Sequence, residues 1–215
     1  MSRYQAQQQA SMGVSNSTYL QEPFKELSSW PGDKAAVIAK AYSDGAYDFG
    51  VDAAVVRTIT GMSMDEASAV VAAHSKNDAG IVNALSLLIT FICLPDPNQR
   101  NESLRLRQVF DLFDFNKASQ MSIDELTILL ICVTSAFSFV LGRKERVPAD
   151  SLMIKNAHAI YAFLGKKNNA PITRDELQSW ASGYLWKQPG GININSVFET
   201  LVNGVDDSLG GLSAD

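Results

Sequence analysis

The sequence has few of the residues that build catalytic or disulfide-rich sites. It contains two cysteines and two histidines among 215 residues. Cys93 and Cys132 each lie in an apolar run, where a free thiol behaves as a small hydrophobic side chain, so no disulfide framework is expected. His74 and His158 lie in different segments without a second ligand at metal-binding spacing, which favours structural roles. No catalytic triad order, phosphate loop or Cys–His pair occurs, and we predict a protein that is not an enzyme.

Clustered positive charge and long hydrophobic runs are also missing. The net charge is -5 and no Lys/Arg run occurs, so nucleic acid is not an expected partner. The apolar runs at 81–94 and 126–141 are shorter than the roughly 20 residues that cross a bilayer, which predicts buried helices and no membrane insertion. The N-terminus lacks the apolar core of a signal peptide and a Met-Gly start, so we expect a cytoplasmic protein.

What the chain does contain is helical periodicity. From Asp33 onward, apolar residues recur at helical spacing and short polar segments interrupt them, which predicts an all-α fold of four helix–loop–helix units. We divide the chain into an extended N-terminal arm (1–32), a first pair of units (33–98), a second pair (99–188) and a tail with a short helix (189–215). The arm is rich in Gln, Ser and Asn and ends at Trp30-Pro31-Gly32.

Three helix starts carry the same capping pattern. A Ser or Thr is followed three residues later by Glu, so that each side chain can satisfy a free backbone N–H group at the helix start. The pairs are Ser63 with Glu66, Ser122 with Glu125, and Thr173 with Glu176. The second pair predicts a helix beginning at Ile123.

The segment from Asp114 to Glu125 has the spacing of a calcium-binding loop. Such loops offer oxygen ligands from positions 1, 3, 5, 7, 9 and 12, with glycine at position 6. The candidate metal ligands are Asp114, Asn116, Gln120, Ser122 and Glu125. With LRLRQVFDLFDFN before it and SIDELTILL after it, residues 34–202 resemble the EF-hand superfamily, and the layout looks most like the neuronal calcium sensor and calcineurin B-like proteins. The resemblance implies two lobes of paired EF-hands.

The loops depart from the EF-hand pattern in ways that predict weak or absent calcium binding. In the third loop, Ala118 removes a ligand and Ser119 replaces the turn glycine. The first loop, 44–55, and the second, 74–85, end in Val55 and Leu85 instead of glutamate. The fourth, 165–176, has Lys167 at position 3. We expect no cofactor; one weak Ca²⁺ or Mg²⁺ ion in the third loop is the alternative.

The helix LTILLICVTSAFSFVL is apolar nearly all the way round, so several elements must cover it. Either a partner helix or the chain's own tail could supply the missing cover. The candidate groove residues are Phe110, Phe113, Leu126, Leu129, Leu130, Val133 and Phe137, and the candidate tail residues are Ile192, Ile194, Val197, Phe198, Leu201 and Val202.

Together these features predict a protein-binding adaptor or structural subunit that works without calcium. Its expected partner is an amphipathic helix or, by the family resemblance, a cytoskeletal or axonemal filament, with a cytoskeletal or flagellar location as a variant of the cytoplasmic one. The alternative functions are a calcium sensor that uses the loop from Asp114 to Glu125, and a regulatory subunit of an enzyme.

Overall fold

The structure is a computed structural model that describes residues 20–75, 79–95, 102–167, 170–185 and 193–205. Within these ranges the chain forms ten α-helices and four strands of two residues each. The predicted all-α class is confirmed.

The elements follow the chain in a regular order. The helices are α1 (Phe24–Leu27), α2 (Lys34–Asp44), α3 (Ala53–Thr60), α4 (Met64–His74), α5 (Ala84–Cys93), α6 (Glu102–Phe113), α7 (Ile123–Val140), α8 (Asp150–Phe163), α9 (Arg174–Tyr184) and α10 (Ile194–Asn203). The strands are β1 (Gly50–Val51), β2 (Val82–Asn83), β3 (Gln120–Met121) and β4 (Ile172–Thr173), and a 3₁₀ helix spans Lys144–Arg146.

Short antiparallel strands join the units in two pairs. β1 between α2 and α3 pairs with β2 between α4 and α5, and Val51 lies opposite Val82. β3 between α6 and α7 pairs with β4 between α8 and α9, and Met121 lies opposite Ile172. All four of these side chains are buried. Each strand pair satisfies loop backbone groups and places one apolar side chain from each loop in the core.

The three predicted capping boxes are confirmed, with Ser63, Ser122 and Thr173 accepting from the backbone N–H of Glu66, Glu125 and Glu176 and each glutamate accepting in return. The helix predicted to begin at Ile123 does begin there. Asp52 caps α3 and Asn83 caps α5 through a side-chain oxygen that accepts from a backbone N–H, whereas α2 and α8 start without a side-chain cap. The loops therefore end in rigid, locally determined helix starts.

Helix α7 lies at the centre of the molecule and contacts α4, α5, α8 and α10. By length and composition alone its 18 residues could cross a membrane, but 56% of that window is buried inside the protein. This is the burial of a core helix, and it explains why the sequence is apolar on more than one face.

The N-terminal segment corrects one predicted boundary. We expected an extended arm over residues 1–32; the first 19 residues lie outside the described part, and residues 20–32 pack on the core instead. Phe24 and Leu27 are fully buried, and the Trp30 ring stacks on Phe91 with centroids 5.8 Å apart. Apolar residues at every third position make a helical stripe that the polar composition of the arm concealed.

Candidate functional site

The loop between α6 and α7 holds the predicted metal ligands. The buried Asp114 carboxylate accepts from the backbone N–H of Ala118 at 2.9 Å and of Ser119 at 2.8 Å. Asn116 Oδ1 also accepts from Ala118, at 2.9 Å. Ser119 has φ of 57°, the left-handed conformation that glycine adopts without steric cost. The loop is therefore closed by hydrogen bonds to its own backbone.

The other predicted ligands of this loop serve the start of α7. Glu125 Oε2 accepts from Ser122 N at 2.8 Å and from Ser122 Oγ at 2.9 Å. Gln120 is an exposed residue of β3. Across the described residues, no group of three or more His, Cys, Asp or Glu side chains is placed to hold a metal ion. A divalent ion in this loop would compete with the backbone N–H groups for Asp114 and with the helix cap for Glu125.

The strand register corrects the boundary of the second loop. We aligned this loop as residues 74–85, but Val51 pairs with Val82, and Asn83 accepts from Ser86 N at 2.9 Å to cap α5. The equivalent of Asp114 to Glu125 is therefore residues 75–86, one position later. Gly80, with φ of 68°, then occupies the turn position.

The fourth loop begins with a glycine helix cap. Gly165 has φ of 64°, its N–H donates to Ala162 O at 3.0 Å, and Lys166 N donates to Tyr161 O at 2.9 Å, which is the hydrogen-bond pattern that ends many helices. Lys166 Nζ lies 2.6 Å from a carboxylate oxygen of Glu176. A cation of the chain itself thus neutralises the last carboxylate of this loop.

The seven predicted groove residues are all buried, but they occupy two different places. Phe110 and Phe113 lie in the core, where they cannot present a docking surface. The α7 residues line an apolar cavity and comprise Leu126, Leu129, Leu130, Val133 and Phe137. Neither set is open to a partner in this conformation.

The chain's own tail helix covers the α7 residues. Helix α10 contacts α7 and α8 and buries Ile194, Val197, Phe198 and Leu201 along one face. Ile192, also predicted for this helix, lies outside the described residues. Of the two occupants that the sequence left open, the tail is the one present here.

A buried amide fixes the C-terminal end of α10. Asn156 of α8 is fully buried. Its Nδ2 donates to Leu201 O, and its Oδ1 accepts from Val205 N, both at 2.9 Å. The last backbone groups of a helix have no partner within the helix. The Asn156 side chain therefore satisfies two such groups at the end of α10.

Two arginines hold the middle of α10. Arg143 Nη1 lies 2.5 Å from Glu199 Oε1, and Arg146 makes two contacts with the same carboxylate at 2.8 and 3.0 Å. Both guanidinium groups also lie over the Phe198 ring, at 5.7 and 5.6 Å from its centroid. Hydrogen bonding from Arg146 holds the pKa of Glu199 below its usual value.

The end of α7 places these arginines. Gly142 has φ of 67°, its N–H donates to Phe139 O at 3.0 Å, and Arg143 N donates to Ser138 O at 2.6 Å. This left-handed turn ends α7 and directs the chain along α10. The sequence shows the glycine, but it cannot show that Glu199 lies opposite.

Packing under α10 is incomplete. An apolar cavity of about 70 Å³ remains between α6, α7, α9 and α10, and Val197 and Leu201 of α10 are among its lining residues. A void in an apolar core forfeits dispersion contacts on every wall. The tail helix therefore covers this groove without filling it.

A second apolar groove is open to solvent and was missed by our sequence analysis. It has a volume of about 510 Å³ and lies between α2 and α6, where Tyr42, Tyr47 and Leu112 line it. Phe49 is 59% exposed and Phe115 is 48% exposed, and their rings meet edge to face with centroids 6.3 Å apart. One feature of the sequence could have indicated this groove: in two different loops a phenylalanine directly follows an aspartate, and neither phenylalanine belongs to the apolar face of a helix.

His74 and Cys93 are buried in the core, so their reactive atoms are not exposed to solvent. Both nitrogens of His74 lack a hydrogen-bond partner within the described structure, and the ring lies between Phe24 and Phe139. Burial, with a smaller contribution from Lys144, lowers the pKa of His74 to about 3. Burial raises the pKa of the Cys93 thiol to about 12. Both side chains are therefore neutral core residues at neutral pH.

Comparison of the chain with protein-family models, curated proteins and solved structures finds no match. Function must therefore be inferred from the contacts and exposed surfaces of the chain itself.

Proposed function

We propose that this chain is a non-enzymatic, EF-hand-like protein-binding subunit that works without calcium. The pairing of helix–loop–helix units through two short antiparallel strands supports the EF-hand assignment. So do the helix caps at loop position 9 and the left-handed residue at position 6 of the second and third loops. Each half of the molecule would then be one EF-hand pair.

Calcium independence is supported by the chemistry of the loops. The third loop offers the carboxylates of Asp114 and Glu125, and each of them already accepts hydrogen bonds from backbone N–H groups. Lys166 occupies the carboxylate of Glu176 in the fourth loop. Helix α10 packs on α7 through buried apolar side chains, a contact that involves no ion.

The observation that carries the binding function is the exposed Phe49–Phe115 pair. Aromatic side chains in partly buried pockets supply most of the energy of many protein interfaces, and two large rings exposed side by side are unusual on a surface without a partner. The groove joins the two halves of the chain, so a ligand here would contact both. An amphipathic helix is the occupant that fits an apolar groove between two helices.

The test is affinity capture from a cell extract in calcium and in chelator. We expect one stoichiometric protein in both conditions, lost from a Phe49→Ser, Phe115→Ser double variant because the aromatic contact area is gone. Ile154→Ser is the matched control, since Ile154 is a large apolar residue exposed outside the groove. Capture that survives the double variant would contradict the proposal.

The calcium sensor is the second candidate, and the prepositioned Asp114 and Asn116 oxygens are the observation in its favour. It predicts heat on calcium titration and calcium-dependent partner capture, both abolished by Glu125→Gln. The adaptor predicts neither effect, and its Glu125→Gln variant should still capture the partner.

A further inference from the structure

A separate cavity lies where the two halves of the chain meet. It has a volume of about 280 Å³ and is bounded by the end of α4, the strand β2, the start of α5 and one face of α7. It shares no lining residue with the open groove between α2 and α6. Its walls combine the apolar side chains of Ile81, Val82, Ile131 and Phe139 with the hydroxyl groups of Ser86 and Ser135.

His74 brings an unsatisfied polar group to this cavity. It is one of the lining residues, it is 2% exposed, and neither of its ring nitrogens has a hydrogen-bond partner among the described residues. Folded proteins rarely leave buried polar atoms unpaired, because the lost hydration is not recovered. A half-turn of the ring about its Cβ–Cγ bond exchanges nitrogens with carbons in nearly the same space. A ligand in the cavity can then supply the missing partner.

Lys144 makes the same end of the cavity positive. Its Nζ donates to Ser75 O at 2.9 Å and to Ala72 O at 3.5 Å, and it lies 5.9 Å from the centroid of the Phe139 ring. An ammonium group has three N–H donors, so one remains for a ligand. None of the described residues that line the cavity is acidic. A neutral imidazole and an ammonium group side by side favour an anion that accepts from both.

We propose that this cavity binds a small organic carboxylate with an apolar body. The carboxylate accepts hydrogen bonds from His74 and Lys144, and the apolar body packs against Ile131 and Phe139. The volume suits about ten non-hydrogen atoms, the size of a phenyl ring joined to a short acid chain. This site goes beyond the proposed protein-binding function, and a ligand bound there would contact both halves of the chain.

The probe is 3-phenylpropionate, titrated into the full chain by calorimetry beside 3-phenylpropionamide and 3-phenylpropylamine. The three molecules share one apolar body and differ in the charge of the head group. In parallel, NMR spectra of the chain with labelled histidine follow its two imidazole rings. His158 of α8 does not line the cavity and serves as the internal reference.

We expect the acid to bind about fivefold more tightly than the amide, because an ionised acceptor makes the stronger hydrogen bonds. The amine should not bind, since Lys144 repels it. The acid should shift the resonances of His74 and leave those of His158 in place. This last measurement uses the natural chain and does not depend on any variant folding.

Two variants separate the head group from the cavity. Lys144→Gln removes the charge and should reduce the preference for the acid over the amide to less than about twofold. Lys155→Gln, at an exposed lysine of α8, is the matched control and should keep the full preference. Ser135→Leu places a larger side chain in the cavity from a partly exposed position on α7 and should abolish binding of both the acid and the amide.

Three results would overturn the inference: no binding of the acid at millimolar concentration, equal binding of the acid and the amide, or unchanged His74 resonances at saturation. Tighter binding of the amine would assign the site to cations and would also overturn it. If Ser135→Leu does not fold, Lys144→Gln and the His74 resonances still decide the question. Partner capture through Phe49 and Phe115 is measured separately, so loss of this inference leaves the proposed function standing.

Discussion

The two apolar grooves differ in what covers them. The groove along α7 is closed by the chain's own α10, which a buried amide and two arginines hold in place. The groove between α2 and α6 has no comparable cover among the described residues, and Phe49 and Phe115 remain exposed there. The comparison teaches that an apolar pattern marks a surface that needs cover, whereas the polar contacts around it determine which segment supplies that cover.

The largest expected effect compares one residue type in the two grooves. Phe198→Ala removes a fully buried ring of α10 and should lower the free energy of unfolding by about 3 to 5 kcal/mol. Phe115→Ala removes a half-exposed ring at the open groove and should cost less than about 1 kcal/mol. Urea denaturation measures both. Equal costs would show that the α2–α6 groove is a structural contact and not an open surface.

A smaller effect is expected at the amide anchor of α10. Asn156→Ala leaves the Leu201 carbonyl and the Val205 N–H without their partner and should destabilise the protein by about 2 to 3 kcal/mol. Asn203→Ala, at an exposed asparagine at the end of α10, is the control and should change stability by less than about 0.5 kcal/mol. Thermal unfolding of the three proteins tests this. A mild Asn156→Ala effect would mean that water replaces the amide.

Acidification tests the packing of His74 of α4 against Phe139 of α7. His74 is neutral in the folded protein, with its pKa lowered from 6.5 to about 3 by burial. The unfolded chain binds a proton below pH 6.5 and the folded chain does not, so stability is complete above that pH and is lost as pH falls toward 3. The loss from this group should be about 2 kcal/mol at pH 5.

Denaturation curves at pH 8 and pH 5 measure this loss. His74→Leu should remove about 2 kcal/mol from the pH difference, because the group that titrates is gone. A pH dependence that persists in His74→Leu would assign the effect to other groups.

The smallest effect concerns the loop that carries Phe115. Ser119 has φ of 57°, so Ser119→Gly should relieve backbone strain and stabilise the protein by about 0.5 to 1 kcal/mol. Ser119→Ala keeps the strained conformation and should give no gain. If Ser119→Gly stabilises the protein and partner capture is unchanged, then binding at the open groove does not depend on the strained conformation of residue 119.

Much of the fold could be predicted because its signals are local. A capping box joins residues three apart, and the boxes at Ser63, Ser122 and Thr173 mark their helix starts correctly. The second loop was misplaced by one residue because its register depends on the pairing of Val82 with Val51, far back in the chain. Local pattern alone could not supply that contact.

The candidate sites were less predictable than the fold. The α7 residues of the predicted groove do lie together, because apolar periodicity shows which faces are buried. The contacts of Glu199 with Arg143 and Arg146 could not be anticipated, since they join residues 56 and 53 positions apart. The exposure of Phe49 and Phe115 could not be predicted either, because a sequence does not show which side chains the rest of the fold leaves uncovered.

By itself, the sequence determined the helix starts, the loops with few calcium ligands and the need of α7 for cover on several sides. Each of these follows from side-chain chemistry within a few neighbouring residues. Only the tertiary structure decided that α10 supplies part of that cover, that 20–32 supplies more of the core and that one groove stays open. Those outcomes depend on contacts between segments that are distant in the sequence. The free energy that favours one arrangement over another is the sum of all the packing contacts in the folded molecule.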